Sequence, residues 1–253
     1  MARHERFEKA PIREAIIDLK VKAPSGLSTV QIAEIGTEIS EWYPTRNSIT
    51  KGEFTFQFGA GAAAQSSRQD PIGFRFTSLD GHYVLQARLD GLTLSVLPPY
   101  DRWETFRDEA RRLWSIYRSH VQPESISRLA VRYINQLDHL PASANLEEYL
   151  ATFPQVSDAM VQTGARLNNY FMQLQMTLPD LQSNLILNQA AIPPTTSEFV
   201  SLILDIDLYR DNDVPQDEEG IWALFEAFRE HKNAIFIACI TDRTKEYLRQ
   251  CRP

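Results

Sequence analysis

The chain has 253 residues, 26 basic against 33 acidic side chains, a formal net charge of −7 and 43% hydrophobic residues. That balance excludes intrinsic disorder as the main state, and it lends no support to non-specific binding of nucleic acid, which wants a basic surface. Cys239 lies in the apolar run AIFIACI and Cys251 in the polar tail, with no CxxC spacing, so no disulfide framework is expected and a reducing cytoplasm is the natural setting. The basic residues at the start precede no apolar stretch of signal-peptide length. No run approaches the ~18 apolar residues of a membrane span, so neither export nor insertion is expected.

In chain order, residues 12 to 22 alternate as a strand, with Ala15, Ile17, Leu19 and Val21 in one phase and Glu14 and Asp18 in the other beside Ile12 and Ile16. Residues 28 to 42 predict a helix, begun by Ser28 and Gln31 in capping-box spacing and striped by Ile32, Ile35, Ile39 and Trp42. EFTFQF then places Phe54, Phe56 and Phe58 on one side of a strand, and Gly59 to Pro71 reads as a flexible loop. Within it Gly59, Gly61 and Ala64 match G-x-G-x-x-A, with Asp80 about twenty residues on. Too few residues follow for the crossover helix a dinucleotide site needs, so no cofactor is assigned.

Residues 72 to 97 read as a three-strand meander joined by Asp80-Gly81 and Asp90-Gly91, links that favour tight hairpins. With those pairs as whole loops, Leu79 faces His82 and Leu89 faces Leu92. Ile72, Phe74, Phe76, Tyr83, Leu85, Ala87, Leu89, Leu92, Leu94 and Val96 then share an apolar face, while Arg75, Gln86, Arg88, Thr93 and Ser95 share the opposite one. A helix over 101 to 121 follows, with Trp103, Phe106, Ala110, Leu113 and Tyr117 at three- and four-residue intervals. Its arginines are interleaved with acids at salt-bridge spacing rather than arrayed for phosphate.

The second part repeats the order. LAVRYINQL sets Leu129, Val131 and Tyr133 against Arg128, Arg132 and Gln136, and a short helix is expected over Leu146 to Phe153. YFMQLQMTL sets Tyr170, Met172, Leu174 and Met176 against Gln173, Gln175 and Thr177. FVSLILDIDLY sets Val200, Leu202, Leu204, Ile206 and Leu208 against Ser201, Asp205 and Asp207. A long helix is expected from near Asp217 to about Ile240, then a short one after Thr241 or Asp242. Pro141 to Asn145, Pro154 to Arg166 and Ile192 to Glu198 read as loops. One-sided alternation of this kind belongs to antiparallel sheets covered on one face. The fold class expected is α+β: a large, mainly antiparallel sheet with helices packed on one face. It forms a single domain over residues 1–253, in which residues 12–121 and 126–248 suggest two similar halves.

Few motifs carry chemistry. The acids Asp205, Asp207, Asp211, Asp213, Asp217, Glu218 and Glu219 lie close in sequence, but the spacing is not that of an EF-hand, and two of them sit in a strand's polar phase. The histidines at 4, 82, 120, 139 and 231 form no HExxH motif, and neither a nucleophile elbow nor a P-loop is present. No metal site and no catalytic residue is assigned.

Three segments, PIREAIID at 11 to 18, LAVRYINQLD at 129 to 138 and FIACITD at 236 to 242, together resemble a sporadically distributed family of functionally uncharacterised bacterial proteins. Its members open with a Pro-Ile-x-Glu-Ala strand, carry a central Arg-Tyr-Ile-Asn strand and close on Ile-Thr-Asp. The resemblance implies no activity. It directs attention to Glu14, Arg132, Asn135, Thr241 and Asp242, and this chain has Gln-Leu-Asp after Asn135 where the family pattern implies a basic residue. Glu14 and Arg132, each in the polar phase of the first strand of its half, are expected to approach one another as an ion pair.

The surface expected to recognise something is therefore the polar sheet face, with Glu14, Arg75, Arg88, Arg128, Arg132, Asn135, Gln173, Asp205 and Asp207 as its binding residues. Its mixed signs and amides suit a protein partner or a small polar ligand better than a nucleic acid. The reading is a non-catalytic binding or interaction protein, and the family's sporadic distribution implies a regulatory or neutralising partner in a mobile accessory system. No cofactor is expected, and a homodimer is compatible. The alternatives are a metal-assisted hydrolase using Asp205 and Asp207, and a small-molecule carrier with a cavity between sheet and helices.

Overall fold

The computed structural model describes residue 7 and residues 10–57, 64–141, 145–167, 169–192 and 199–250. In chain order the elements are β1 (Ile12–Lys22), α1 (Thr29–Glu38), β2 (Thr45–Gln57), β3 (Ala64–Thr77), β4 (Tyr83–Arg88), β5 (Gly91–Val96), α2 (Trp103–Val121), β6 (Ser125–Pro141), α3 (Leu146–Tyr149), α4 (Asp158–Gln162), β7 (Phe171–Leu178), β8 (Ser183–Ile192), β9 (Phe199–Arg210), α5 (Glu218–Cys239) and α6 (Asp242–Gln250). The strands follow the order β2-β3-β4-β5-β1-β6-β9-β8-β7. The pairings of β2 with β3, β3 with β4, β4 with β5, β6 with β9, β9 with β8 and β8 with β7 are all antiparallel. The fold is α+β with a large antiparallel sheet, as the alternation predicts.

The chain divides into two compact units. The amino-terminal unit holds Ile17–Leu97 and Arg102–Ser127, and the carboxy-terminal unit holds Met1–Ile16, Pro98–Asp101 and Arg128–Pro253. In the amino-terminal unit the apolar sheet face carries Phe76, Leu85, Ala87, Leu92, Leu94 and Val96, buried together with Ile32, Ile35 and Ile39 and with Trp103, Phe106, Ala110, Leu113 and Tyr117 of α2. Ser28 starts α1 as predicted: its hydroxyl accepts from the Val30 N–H while the Gln31 side chain accepts from the Ser28 N–H. The helix stops at Glu38, so Trp42, expected on its buried stripe, is instead 50% exposed. Helix α2 starts at Trp103 with Arg102, rather than Asp101, before it.

One expectation about the meander changes. Leu79 keeps its place opposite His82, since Thr77 pairs with Val84 and the Ser78 N–H donates to the Tyr83 carbonyl at 2.9 Å. In the next hairpin Arg88 pairs with Gly91, so the two loop residues are Leu89 and Asp90. The shift is even, and the faces are therefore preserved. Gly91 is required for another reason: at φ 147°, a Cβ there would lie 2.2 Å from the Leu19 carbonyl oxygen of β1. Residues 64 to 71, expected within a loop, are strand and pair with residues 50 to 57 beyond a bulge at Ile49/Thr50. Their Ser, Gln and Arg side chains offer no apolar alternation to reveal them. Phe58, Gly59 and Gly61 lie outside the described residues.

The carboxy-terminal unit buries Leu129, Val131, Tyr133 and Leu137 of β6, Leu185 and Leu187 of β8, and Leu202, Leu204, Ile206 and Leu208 of β9. Ile221, Phe225 and Phe228 of α5 are buried with them. Asp217 caps α5 by accepting from the Gly220 N–H at 2.8 Å. Strand β8 escapes a reading by alternation because Ile186 and Ala190 fall in its polar phase while Gln189, fully buried, falls in its apolar one. Of the expected loops, Pro154–Arg166 contains the short α4, and residues 142–144 and 193–198 lie outside the described residues.

Candidate functional site

The polar side chains of the carboxy-terminal unit form a hydrogen-bonded row across four strands. On β7 the Gln175 amide donates to the Gln173 carbonyl oxygen at 3.2 Å, and the Gln173 amide donates to Asn188 Oδ1 of β8 at 2.8 Å. Asn188 Nδ2 donates to Asp205 Oδ2 of β9 at 3.0 Å. Arg132 of β6 closes the row with a bidentate fork, Nε to Oδ1 at 2.8 Å and Nη2 to Oδ2 at 2.7 Å. The register explains the order, because Gln173 pairs with Asn188 and Asn188 with Asp205, so these side chains stand on one face of successive strands.

Burial along the row is uneven. The Asp205 side chain is 6% exposed, whereas that of Arg132 is 42% exposed, and Gln173 and Gln175 are exposed. The Arg132 pKa is raised, chiefly by the hydrogen bond to Asp205; burial works against this, and the charges of Asp205, Asp207 and Glu14 add to it. Glu14 is thus close enough to matter, but the expected Glu14–Arg132 pairing gives way to Asp205, which β9 places one strand away. Beside the row, Arg128 Nη2 lies 3.4 Å from Asp207 Oδ2, and its guanidinium covers the Tyr209 ring at 4.7 Å.

Asn135 does not belong to this face. It is 3% exposed in the same phase as Tyr133, and its amide donates to the Leu204 carbonyl at 3.0 Å, which makes it part of the core. Thr241 and Asp242 serve the chain's end: the Thr241 hydroxyl donates to the Glu148 carbonyl, and Asp242 pairs with Lys245 at 2.8 Å. Arg75 and Arg88 belong to the amino-terminal unit. Arg75 is exposed on β3 opposite Gln86. Arg88 is 14% exposed and reaches Asp90 at 3.1 Å and Asp18 at 3.4 Å, while the Thr93 hydroxyl donates to Asp18 at 2.5 Å.

Sequence reasoning misses two further groups. Lys232 of α5 is 8% exposed, with Nζ 3.7 Å from the centre of the Tyr133 ring; the Tyr133 hydroxyl lies 3.0 Å from that of Tyr100. Burial, with Arg229 adding, pushes the Lys232 pKa down to about 7. A lysine on an amphipathic helix ordinarily reads as solvated, so nothing in the pattern singles it out. The second group lines an open cleft of ≈ 790 Å³ in the amino-terminal unit, among them Trp42, Tyr43, Leu79, Tyr83, Glu109 and Arg112. There Glu109 accepts from the Tyr43 hydroxyl at 2.7 Å and from Arg112 at 2.7 and 2.9 Å, and Arg112 covers the Trp42 ring at 4.8 Å. Burial and the Glu109 charge raise the Tyr43 pKa far above the ordinary phenol value.

Among the described residues no three His, Cys, Asp or Glu side chains are placed to hold a metal ion. Asp205 already accepts three hydrogen bonds, so chelation there would have to displace Arg132 or Asn188. Among the described residues no helix is long and apolar enough to cross a membrane. No family model and no curated protein matches the chain. Among solved structures, the di-domain ARO/CYC StfQ from the steffimycin biosynthetic pathway aligns over 94% of this chain and 96% of its own, at 9% identity and a TM-score of 0.22. A likeness that slight carries no argument about fold or activity.

Proposed function

We propose that the protein is a non-catalytic binding protein that recognises a polar partner through the sheet face of its carboxy-terminal unit. The observation that supports this is the Gln175–Gln173–Asn188–Asp205–Arg132 row, whose members fix one another while its two ends, the glutamines and the guanidinium, remain open to solvent. Such an array is preorganised: the side chains lose little freedom on binding, and both a cation and amides are presented at fixed spacing. Membership in the uncharacterised bacterial family, and with it the role of a regulatory or neutralising partner in a mobile accessory system, is part of this proposal and rests on the sequence motifs.

The test immobilises the protein and exposes it to lysate of its native cell, comparing wild type with Arg132→Lys and Gln173→Ala. Arg132→Lys keeps a positive charge beside Asp205 but loses the planar fork. The expected result is one species retained by wild type and lost from both variants at unchanged melting temperature. Equal retention by all three proteins would remove the polar face from consideration.

The amino-terminal cleft favours a second reading, a small-molecule carrier, since its volume falls within the range of about 300 to 1,000 Å³ common for such sites. Native mass spectrometry of the purified protein checks it. A persistent mass adduct lost in Trp42→Ala supports a carrier, and the bare chain mass counts against one.

A further inference from the structure

The strand order leaves β7 at an edge, and among the described residues no strand lies on its outer side. Edge strands of stable monomers are usually blunted by charge, proline or a bulge. Strand β2, the edge of the amino-terminal unit, follows that rule with Arg46 and Lys51 and the bulge at Ile49/Thr50. Strand β7 does not: its sequence, FMQLQMTL, contains no charge and no proline, and it pairs with β8 without a register shift. It also leaves Phe171 72% and Met176 40% exposed.

The segment Met172-Gln173-Leu174-Gln175-Met176 reads the same in both directions. An antiparallel pair of identical strands has a twofold axis, and that operation reverses the sequence. With the axis at Leu174, Leu174 faces its own copy, Gln173 faces Gln175 and Met172 faces Met176, so every central position meets its own kind. The glutamines fall on the polar face and the methionines on the other. Gln175 Nε2 is engaged with Gln173 and Gln173 Nε2 with Asn188, which leaves the Gln175 carbonyl oxygen and the second Gln173 N–H to bond across the axis.

We infer that β7 pairs antiparallel with β7 of a second copy of this chain, in a twofold register centred on Leu174. The absence of charge favours a like strand over a charged partner, for which β7 offers no complement. Main-chain hydrogen bonds supply the affinity, and the palindrome fixes the register.

Two variants test this, Gln173→Lys/Gln175→Lys and Gln173→Glu/Gln175→Glu. In the proposed register each sets like charges opposite one another in its own dimer and opposite charges in the mixed one. Sedimentation velocity of the full chain is expected to give a dimer for wild type, a monomer for each variant alone, and a heterodimer when the two are mixed. Both positions are exposed, and circular dichroism confirms that the variants fold. A wild-type monomer across the whole concentration series overturns the inference, as do a dimer that survives the lysine variant and a mixture that stays monomeric. The outcome is separated from that of the proposed recognition role by Arg132→Lys, because Gln173 and Gln175 serve both: Arg132→Lys leaves the β7 edge intact and is expected to lose capture while remaining dimeric.

Discussion

The two units bury polar groups in different ways. Among the described residues, the amino-terminal unit buries only the hydroxyl side chains Thr93 and Ser95 as polar groups, whereas the carboxy-terminal unit buries Asn135, Ser183, Gln189, Asp205, Lys232 and Thr244, two of them ionisable. Their arginine–aspartate contacts differ in the same sense. Arg88 is itself mostly covered and divided between Asp18 and Asp90, whereas Arg132 concentrates a bidentate fork on one buried carboxylate and keeps its outer surface in water. A buried ion pair adds little net stability, because desolvation offsets the attraction. The polar investment of the carboxy-terminal unit is therefore better explained by what its arginine presents than by what the pair contributes to folding.

The largest effect expected from breaking this contrast is at Lys232. Its pKa in the folded chain is about 7, against about 10.4 for an unperturbed lysine. Between those values the unfolded chain binds a proton that the folded chain does not, so this group's contribution to stability rises with pH. Below about 7 both states are protonated, and the full cost of burying the ammonium is present, eased only in part by the Tyr133 ring face. Lys232→Met is expected to stabilise the protein by roughly 5 kcal/mol below pH 7, an advantage that shrinks above it by about 1.4 kcal/mol per pH unit and vanishes above about pH 10.4. Urea unfolding of both proteins at a series of pH values measures it. A pH-independent difference would mean that Lys232 is charged throughout.

Next in size is Arg132→Ala, which strands the Asp205 carboxylate in a site only 6% exposed, with Asn188 as its remaining donor. Loss of one partner of a buried pair costs about 3 kcal/mol. Asp205→Asn is expected to cost less, because the half-exposed guanidinium it releases can turn to water. Denaturant midpoints that rank the two substitutions the other way would show that the guanidinium, and not the carboxylate, is the group held by burial.

The apolar frame of both units was legible because periodicity reports burial directly. The stripes Trp103–Phe106–Ala110–Leu113–Tyr117 and Leu202–Leu204–Ile206–Leu208 need no knowledge of their neighbours to be assigned. The polar face was legible only as a phase. That Arg128, Arg132, Asp205 and Asp207 share a side follows from alternation, but that Arg132 chooses Asp205 over Glu14 depends on β9 lying next to β6, a pairing of residues about seventy positions apart. Asn188 was invisible because its strand breaks the alternation, and Asn135 was drawn to the wrong face by a motif, although its phase with Tyr133 already marked it as core. The cleft at Trp42 arises where α1 ends earlier than its stripe suggests, and helix ends are set by caps and tertiary contacts more than by hydrophobic spacing.

The smallest effect sharpens the contrast from the other side. Arg88→Ala removes a guanidinium whose nearest acids are Asp90, 60% exposed, and Asp18, 13% exposed and still bonded by the Thr93 hydroxyl. Asp90 can rehydrate and Asp18 keeps a donor, so the loss is expected to be about 1 kcal/mol, a third of that at Arg132. Part of even this is expected to come from packing, since the Arg88 side chain is 14% exposed and its stem is covered with it. Arg88→Met, which restores the stem without the charge, separates the two contributions. Recovery of most of the loss in equilibrium unfolding assigns Arg88 to packing. A Met variant no better than Ala would instead make its charge as consequential as that of Arg132, and the distinction between a covered arginine and a presented one would fail.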